Sequence, residues 1–187
     1  SQLFGVLYGS QFKFDKEKMP AEIDALREKL MKEYEEGEKP ERKKRILLTG
    51  CPSSGAPMKV VKAIEEHGGN VVVYENCGGA KSVDRLIDED AEDIYKAIAE
   101  RYLAIGCSVM TPDNNRIELM GRLLEEYNIE GVVEMTLQAC HTYNIEAKSI
   151  EKFVKSKGLP YIHVETDYSR ADIGQLDTRI AAFLEMI

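Results

Sequence analysis

The residues best suited to chemistry in this 187-residue chain are four cysteines, Cys51, Cys77, Cys107 and Cys140. A thiolate is a nucleophile and a soft ligand that iron and zinc favour. Three of the four recur in one context. Cys51 follows the run Arg45-Ile46-Leu47-Leu48-Thr49-Gly50, Cys77 follows Asn70-Val71-Val72-Val73-Tyr74-Glu75-Asn76, and Cys140 follows Val132 to Leu137. Each run has the length and β-branched content of a buried strand, and each is followed by a helix-like pattern. Thiols in strand-to-helix loops lie near helix N-termini, which favour the thiolate. Gly55, Gly78 and Gly79 beside them leave backbone N–H groups free to bond sulfur. Two plainer readings stand next to this one: the cysteines are inert core thiols, and the glycines only make tight turns. Cys107 precedes a helix start rather than following an evident strand.

Other candidates carry less. Cys140-His141 is a poor thiol–base dyad, because adjacent residues in an extended segment point to opposite faces. His163 reads as a hydrogen-bonded core histidine and His67 as a helix-end residue. Cys51-Pro52-Ser53-Ser54-Gly55 has the shape of a phosphate cradle, but it lacks the Gly-Lys-Ser/Thr of a nucleotide-hydrolysing loop. Glu165, Asp167 and Tyr168 close the last strand on the same crevice and can hold a water or a proton; equally, Asp167 or Ser169 caps the last helix.

The elements that must position these residues alternate from Arg45 onward. The predicted strands are 45–50, 70–75, 132–137 and 161–166. The helix after the first buries Val60, Val61 and Ile64 and stops at His67-Gly68-Gly69. A mixed helical stretch to Leu103 carries an Ile94, Ile98, Tyr102 stripe. Thr111 is the expected cap of the next helix, with Pro112 at its first position and Ile117, Met120, Leu124 and Tyr127 on its apolar side. Ala147, Ile150, Phe153 and Val154 face inward on the helix after Cys140, which Gly158 ends. Ile173, Leu176, Ile180, Phe183 and Leu184 do so on the last. This βαβαβαβα order implies an α/β fold: a four-stranded parallel, flavodoxin-like sheet of order 2-1-3-4 with helices on both faces. Residues 1–44 differ from the rest. Leu3, Phe4, Val6, Leu7, Tyr8, Phe12 and Phe14 are too apolar for a free tail. After Pro20, the stripe Ile23, Leu26, Leu30, Tyr34 marks an N-terminal helical arm that packs on the domain or on a neighbour and favours an oligomer. The expected division is therefore 1–44, arm and linker, and 45–187, the α/β domain.

Composition narrows the field. Hydrophobic residues make up 43% and charged residues 31%, as in a folded chain with a core. The net charge of -8 argues against nucleic acid and anionic membranes as partners. No apolar run approaches the ~20 residues of a membrane span, and the start lacks a signal-peptide pattern, so a cytoplasmic location is expected. Ser1 in place of Met suggests a processed or trimmed chain. The gaps between cysteines, 25, 29 and 32 residues, contain no C-x-x-C and do not form a disulfide scaffold.

Seven motifs occur in order: Leu48-Thr49-Gly50-Cys51-Pro52, Glu75-Asn76-Cys77-Gly78-Gly79, Arg101-Tyr102-Leu103, Thr111-Pro112-Asp113-Asn114-Asn115-Arg116, Gln138-Ala139-Cys140-His141-Thr142-Tyr143-Asn144, Glu165-Thr166-Asp167-Tyr168-Ser169 and Gln175-Leu176-Asp177-Thr178-Arg179. Together they resemble the 2-hydroxyacyl-CoA dehydratase D-component family, which also holds benzoyl-CoA reductase subunits and double-cubane cluster proteins. The likeness runs from about Arg45 to the C-terminus. It implies an oxygen-sensitive protein with a [4Fe–4S] or related iron–sulfur cluster, part of a dehydratase-like lyase or reductase. The electron donor it implies is an ATP-dependent iron–sulfur activator. That electron would make a ketyl radical of a 2-hydroxyacyl-CoA, from which water leaves. By the same resemblance Cys140, Cys77 and Cys51 are metal ligands and Cys107 a fourth cofactor-binding residue. The Cys-x-Cys that relatives often carry there is broken by Val109, which counts against a double-cubane cluster. The family's length, about twice this one, implies a second subunit or N-terminal half that completes the site. Two other functions stay open: a double-cubane-type reductase of small molecules, and a non-catalytic binding or assembly module with the same fold.

Overall fold

The computed structural model describes residues 9, 12–37, 39, 41–52, 55 and 58–187. It falls into two compact units, Ser1–Lys43 and Lys44–Ile187. The first contains helix α1 (Met19–Glu36), with proline in its first turn and the Gly37 N–H closing on Glu33 O at 2.9 Å. This helix buries none of its residues, and Ile23, Leu30 and Tyr34 of the expected stripe are exposed. Leu3, Phe4, Val6, Leu7 and Tyr8 lie outside the described residues, as do Ser53 and Ser54 of the phosphate-cradle motif.

The second unit runs β1 (Lys44–Gly50), α2 (Met58–Glu66), β2 (Gly69–Glu75), α3 (Ala80–Val83), α4 (Ile94–Leu103), α5 (Asn114–Glu126), β3 (Gly131–Leu137), α6 (His141–Ser156), β4 (Tyr161–Thr166) and α7 (Ile173–Glu185). Its four strands form a parallel sheet in the order β2-β1-β3-β4. The strands read as near-continuous apolar runs because helices cover both faces. On one face Leu47, Val73 and Val132 pack with Leu119, Met120, Leu123 and Leu124 of α5 and Ile150 and Val154 of α6. On the other, α2 and α7 lie together. There Val60, Val61, Ile64, Leu176, Ile180, Phe183 and Leu184 are buried, each worth about 1.5–3 kcal/mol when fully removed from water. Strand β4 is an edge, and Arg179 of α7 donates to the carbonyl oxygen of its His163 at 2.7 Å.

Four local expectations are corrected. Asp113, not Thr111, caps α5, accepting from the N–H of Arg116 at 3.2 Å; the helix begins only after the Pro112 turn. The cap position of α7 is Asp172, not Asp167 or Ser169. The stripe on α4 does not face the core: Ile94 and Tyr102 are exposed and Ala97 is buried instead. Polar contacts hold this helix, through the Asp93 cap and the bond from Arg101 to Ser82 O at 2.7 Å. Ile173, in the first turn of α7, is also exposed.

Candidate functional site

Strand order reverses between β1 and β3, since the chain leaves β1 toward β2 and later returns across it to β3. In open parallel sheets ligands bind at such a reversal, beyond the carboxyl ends of the strands. Cys51 and Cys140 stand at the ends of those two strands. Gly50 makes the first placement possible. Its φ is +104°, and a Cβ there would lie 2.1 Å from Met135 O, so only glycine lets β1 end this close to β3. The Cys51 N–H then donates to Met135 O at 2.8 Å, and the Cys51 sulfur accepts from the Leu137 N–H at 3.3 Å. From the other side, the Cys140 N–H donates to Leu137 O at 3.0 Å. Ala139, before it, takes the left-handed conformation at φ +62°. Cys140 thus becomes the N-cap of α6.

The two thiols stand close enough to influence each other's titration, and they titrate apart. Burial pushes Cys51, 2% exposed, up to about 12 despite the Leu137 N–H. Burial also works against the Cys140 thiolate. The backbone N–H of Tyr143, the Thr142 hydroxyl and the Cys51 thiol outweigh it and hold Cys140 below the ordinary thiol range. Cys77 lies beyond the end of β2, exposed, with its sulfur 3.8 Å from the Tyr143 hydroxyl in the first turn of α6. Cys107 is half-buried. Its neighbour Ser108 bonds the Thr142 hydroxyl at 3.3 Å, and that hydroxyl also lies 3.7 Å from the Cys140 sulfur. All four cysteines are free, and among the described residues no group of three or more His, Cys, Asp or Glu is placed to hold a metal ion. The donors fit an iron–sulfur group in kind, being soft thiols with Cys51 and Cys140 at the switch point, and would supply at most part of a ligand shell.

Beneath this rim lies a feature that strand and helix periodicity did not reveal. Glu75, Thr49 and Glu134 are neighbours in register across β2, β1 and β3, and His163 continues the row on β4. Arg116, fully buried, enters from α5 over that row. It donates to Glu75 Oε2 at 3.2 Å, Thr49 Oγ1 at 2.7 Å, Glu134 Oε1 at 3.3 Å and Glu146. Thr49 also bonds Glu75. Lys81, buried, lies 3.1 Å from Glu75 Oε1, and Tyr161 donates to Glu134 Oε2 at 2.7 Å. Burial raises the Glu134 carboxyl, with Arg116 and the Tyr161 hydroxyl pulling against it. Burial raises Glu146 as well, again against Arg116. The available signal was Thr49, Glu75 and Glu134, polar residues set within largely apolar runs.

The remaining expected residues have structural partners. His163 pairs with Thr136 Oγ1 at 2.8 Å, and burial lowers its imidazole. His67 meets Asp177 at 2.8 Å. Glu165 accepts from Asn144 at 3.0 Å, Asp167 from the Ser169 N–H at 2.7 Å, and Tyr168 is exposed. Among the described residues, no helix is long and apolar enough to cross a membrane.

A doubly wound α/β protein with a thiol pair at its switch point and a buried ion network under it is the class that fold and site define. The chain belongs to the family described as 2-hydroxyglutaryl-CoA dehydratase, D-component, whose profile matches residues 1–187. It is 48% identical over 188 residues to YjiM of Escherichia coli (strain K12), which is named as a candidate dehydratase subunit; the match covers 100% of this chain and 49% of YjiM. It is 23% identical over 161 residues to a benzoyl-CoA reductase subunit of Thauera aromatica, covering 81% of this chain and 36% of that one. It is 25% identical over 104 residues to the beta subunit of (R)-2-hydroxyglutaryl-CoA dehydratase of Acidaminococcus fermentans, covering 53% and 27%. The chain spans about half the length of YjiM and less of the other two.

Proposed function

We propose that this chain is the thiol-bearing α/β half of a 2-hydroxyacyl-CoA dehydratase-type protein and serves as its iron–sulfur electron acceptor. Cys140, Cys77 and Cys51 are the metal ligands in this reading, Cys107 a further cofactor-binding residue, and a second subunit or half completes the shell. The observation that carries it is the placement of Cys51 and Cys140 on either side of Leu137 at the β1/β3 switch point, the Cys51 sulfur on its N–H and the Cys140 N–H on its carbonyl oxygen. A [4Fe–4S] or related cluster would supply single low-potential electrons to the acyl-CoA. An ATP-dependent iron–sulfur activator would be their source. The chain's own part is to fix two thiols against Leu137 and to keep Cys140 in the form that binds soft metal. The site's compartment in this reading is the anaerobic cytoplasm. Residues 1–44 form the arm, whose exposed α1 stripe is the proposed contact for self-association, and 45–187 form the cluster-bearing domain.

The test is anaerobic reconstitution with iron and sulfide, comparing the native chain with Cys140→Ala and Cys51→Ala. A sharp fall in bound iron is expected in both. Iron bound by the native chain and retained in equal amount by both variants counts decisively against the ligand assignment. Electron uptake from an activator with ATP, with and without 2-hydroxyacyl-CoA, then separates acyl-CoA dehydration from reduction of other small molecules.

A further inference from the structure

Tyr143 sits between a buried cation and an exposed sulfur, and neither the sheet nor helix α6 requires a polar atom there. Its ring is buried. Its hydroxyl lies 3.5 Å from Lys81 Nζ and 3.8 Å from Cys77 Sγ. An ammonium group can only donate, so the Tyr143 oxygen accepts from Lys81. A phenol has one hydrogen, and the Cys77 sulfur is the acceptor within its reach. We infer that Tyr143 is a positioning residue that donates a hydrogen bond to the sulfur of Cys77, and that Lys81 locks it in that role.

Several contacts keep the donor aimed. Lys81 is 2% exposed and is tied to Glu75 Oε1 at 3.1 Å, so its Nζ has little freedom to turn away. The Tyr143 ring has Lys81 Nζ 5.4 Å and the Arg116 guanidinium 5.1 Å from its centroid. Two cations near the ring hold it in place and draw electron density from the phenol, which strengthens its O–H as a donor. Cys107 is half-buried beside Ser108, and among the described hydrogen bonds its sulfur has none to this phenol, so it serves as an internal reference. A hydrogen bond to sulfur disperses negative charge. It makes a thiolate less nucleophilic, and on a metal-bound sulfur it raises the reduction potential. The second consequence rests on the reading of Cys77 as a ligand; the first does not.

The experiment has two arms, so that failure of the donor and failure of the ligand reading are told apart. In the metal-free chain, iodoacetamide labelling of Cys77 is followed by peptide mass spectrometry in alkaline solution, where free thiols are ionised. Tyr143→Phe keeps the ring and removes the hydrogen; Cys77 labelling is expected to speed up several-fold while Cys107 labelling in the same molecule is unchanged. Lys81→Gln, which frees the phenol to turn, is expected to speed up Cys77 labelling in the same way. Circular dichroism checks that both variants are folded. In anaerobically reconstituted protein, Tyr143→Phe is expected to bind the same iron at a more negative midpoint potential, read by redox titration. Equal Cys77 labelling in the native chain and Tyr143→Phe overturns the inference. If Tyr143→Phe binds the same iron at an unchanged midpoint, the ligand reading of Cys77 falls and the labelling arm still decides the donor.

Discussion

Replacing Arg116 with Met is the sharpest test of how this fold is held. Arg116 is fully buried and bonds Glu75, Thr49, Glu134 and Glu146 at once. Methionine fills much of the volume but leaves Glu75 and Glu134 facing each other's strands with no guanidinium between them. Glu75 keeps Lys81 at 3.1 Å and Glu134 keeps the Tyr161 hydroxyl at 2.7 Å, so neither is stripped bare. Removing one partner of a buried ion pair costs about 3–5 kcal/mol, against a total of roughly 5–15 kcal/mol for a domain. At about 2–4 °C per kcal/mol for a chain of this size, thermal unfolding followed by circular dichroism should fall by roughly 6–20 °C. The loss should also depend on pH. Burial already raises Glu134. A group raised in this way contributes stability below its unfolded value and loses it as pH rises through the folded value. Without Arg116 that folded value climbs further, so the deficit of Arg116→Met should be smaller near about pH 5 than near about pH 8. Adding Glu75→Gln and Glu134→Gln should restore part of the stability, since the uncompensated charges are then gone. A deficit below about 1 kcal/mol, or one of equal size at both pH values, would refute the reasoning.

Gly50→Ala should destabilise by about 2 kcal/mol or more in urea unfolding, because the new Cβ meets Met135 O at a left-handed φ; an unchanged midpoint would contradict the close approach of β1 to β3. Ala139→Gly, at φ +62°, should be neutral or stabilising by up to about 1 kcal/mol, and a clear loss would show that the turn before Cys140 carries no strain. In the metal-free chain Cys140 should be alkylated well before Cys51, whose thiol is pushed up to about 12 and is nearly inaccessible; the reverse order in peptide mass spectrometry would contradict the opposite shifts of the two thiols. NMR titration of His163 should give a midpoint below the ordinary imidazole value, since burial lowers it. Its neutral form then supports the fold above the unfolded value, and that support fades as pH falls; a midpoint above the ordinary value would reverse the sign.

The sheet was legible because β1, β2, β3 and β4 are short apolar runs separated by helical periods, and that pattern alone implies parallel strands with crossovers. The order 2-1-3-4 is the common one for four such strands, and the same pattern put Cys51, Cys77 and Cys140 just after strand ends. Helix ends were less legible. Thr111 and Asp113 are both good capping types, and only the path of the chain through Pro112 decides between them. The α4 stripe misled because apolar spacing does not say which side faces a core, and Ala97 is small enough to sit close where Tyr102 is not. Arg116 was hidden for a different reason. A charge on an amphipathic helix is ordinarily solvated, and its burial depends on Glu75, Thr49 and Glu134 coming side by side, which follows from strand register and not from spacing along the chain. The contact of Tyr143 with Cys77 joins residues 66 apart and is of the same kind.

The bond from Arg179 to the His163 carbonyl has a further meaning for assembly. A bare outer strand invites a foreign strand to zip alongside it, the usual route to runaway aggregation. Here a charged fork already occupies a backbone acceptor on β4, and an incoming chain would have to dislodge it first. Growth of the sheet past β4 is therefore opposed at that point.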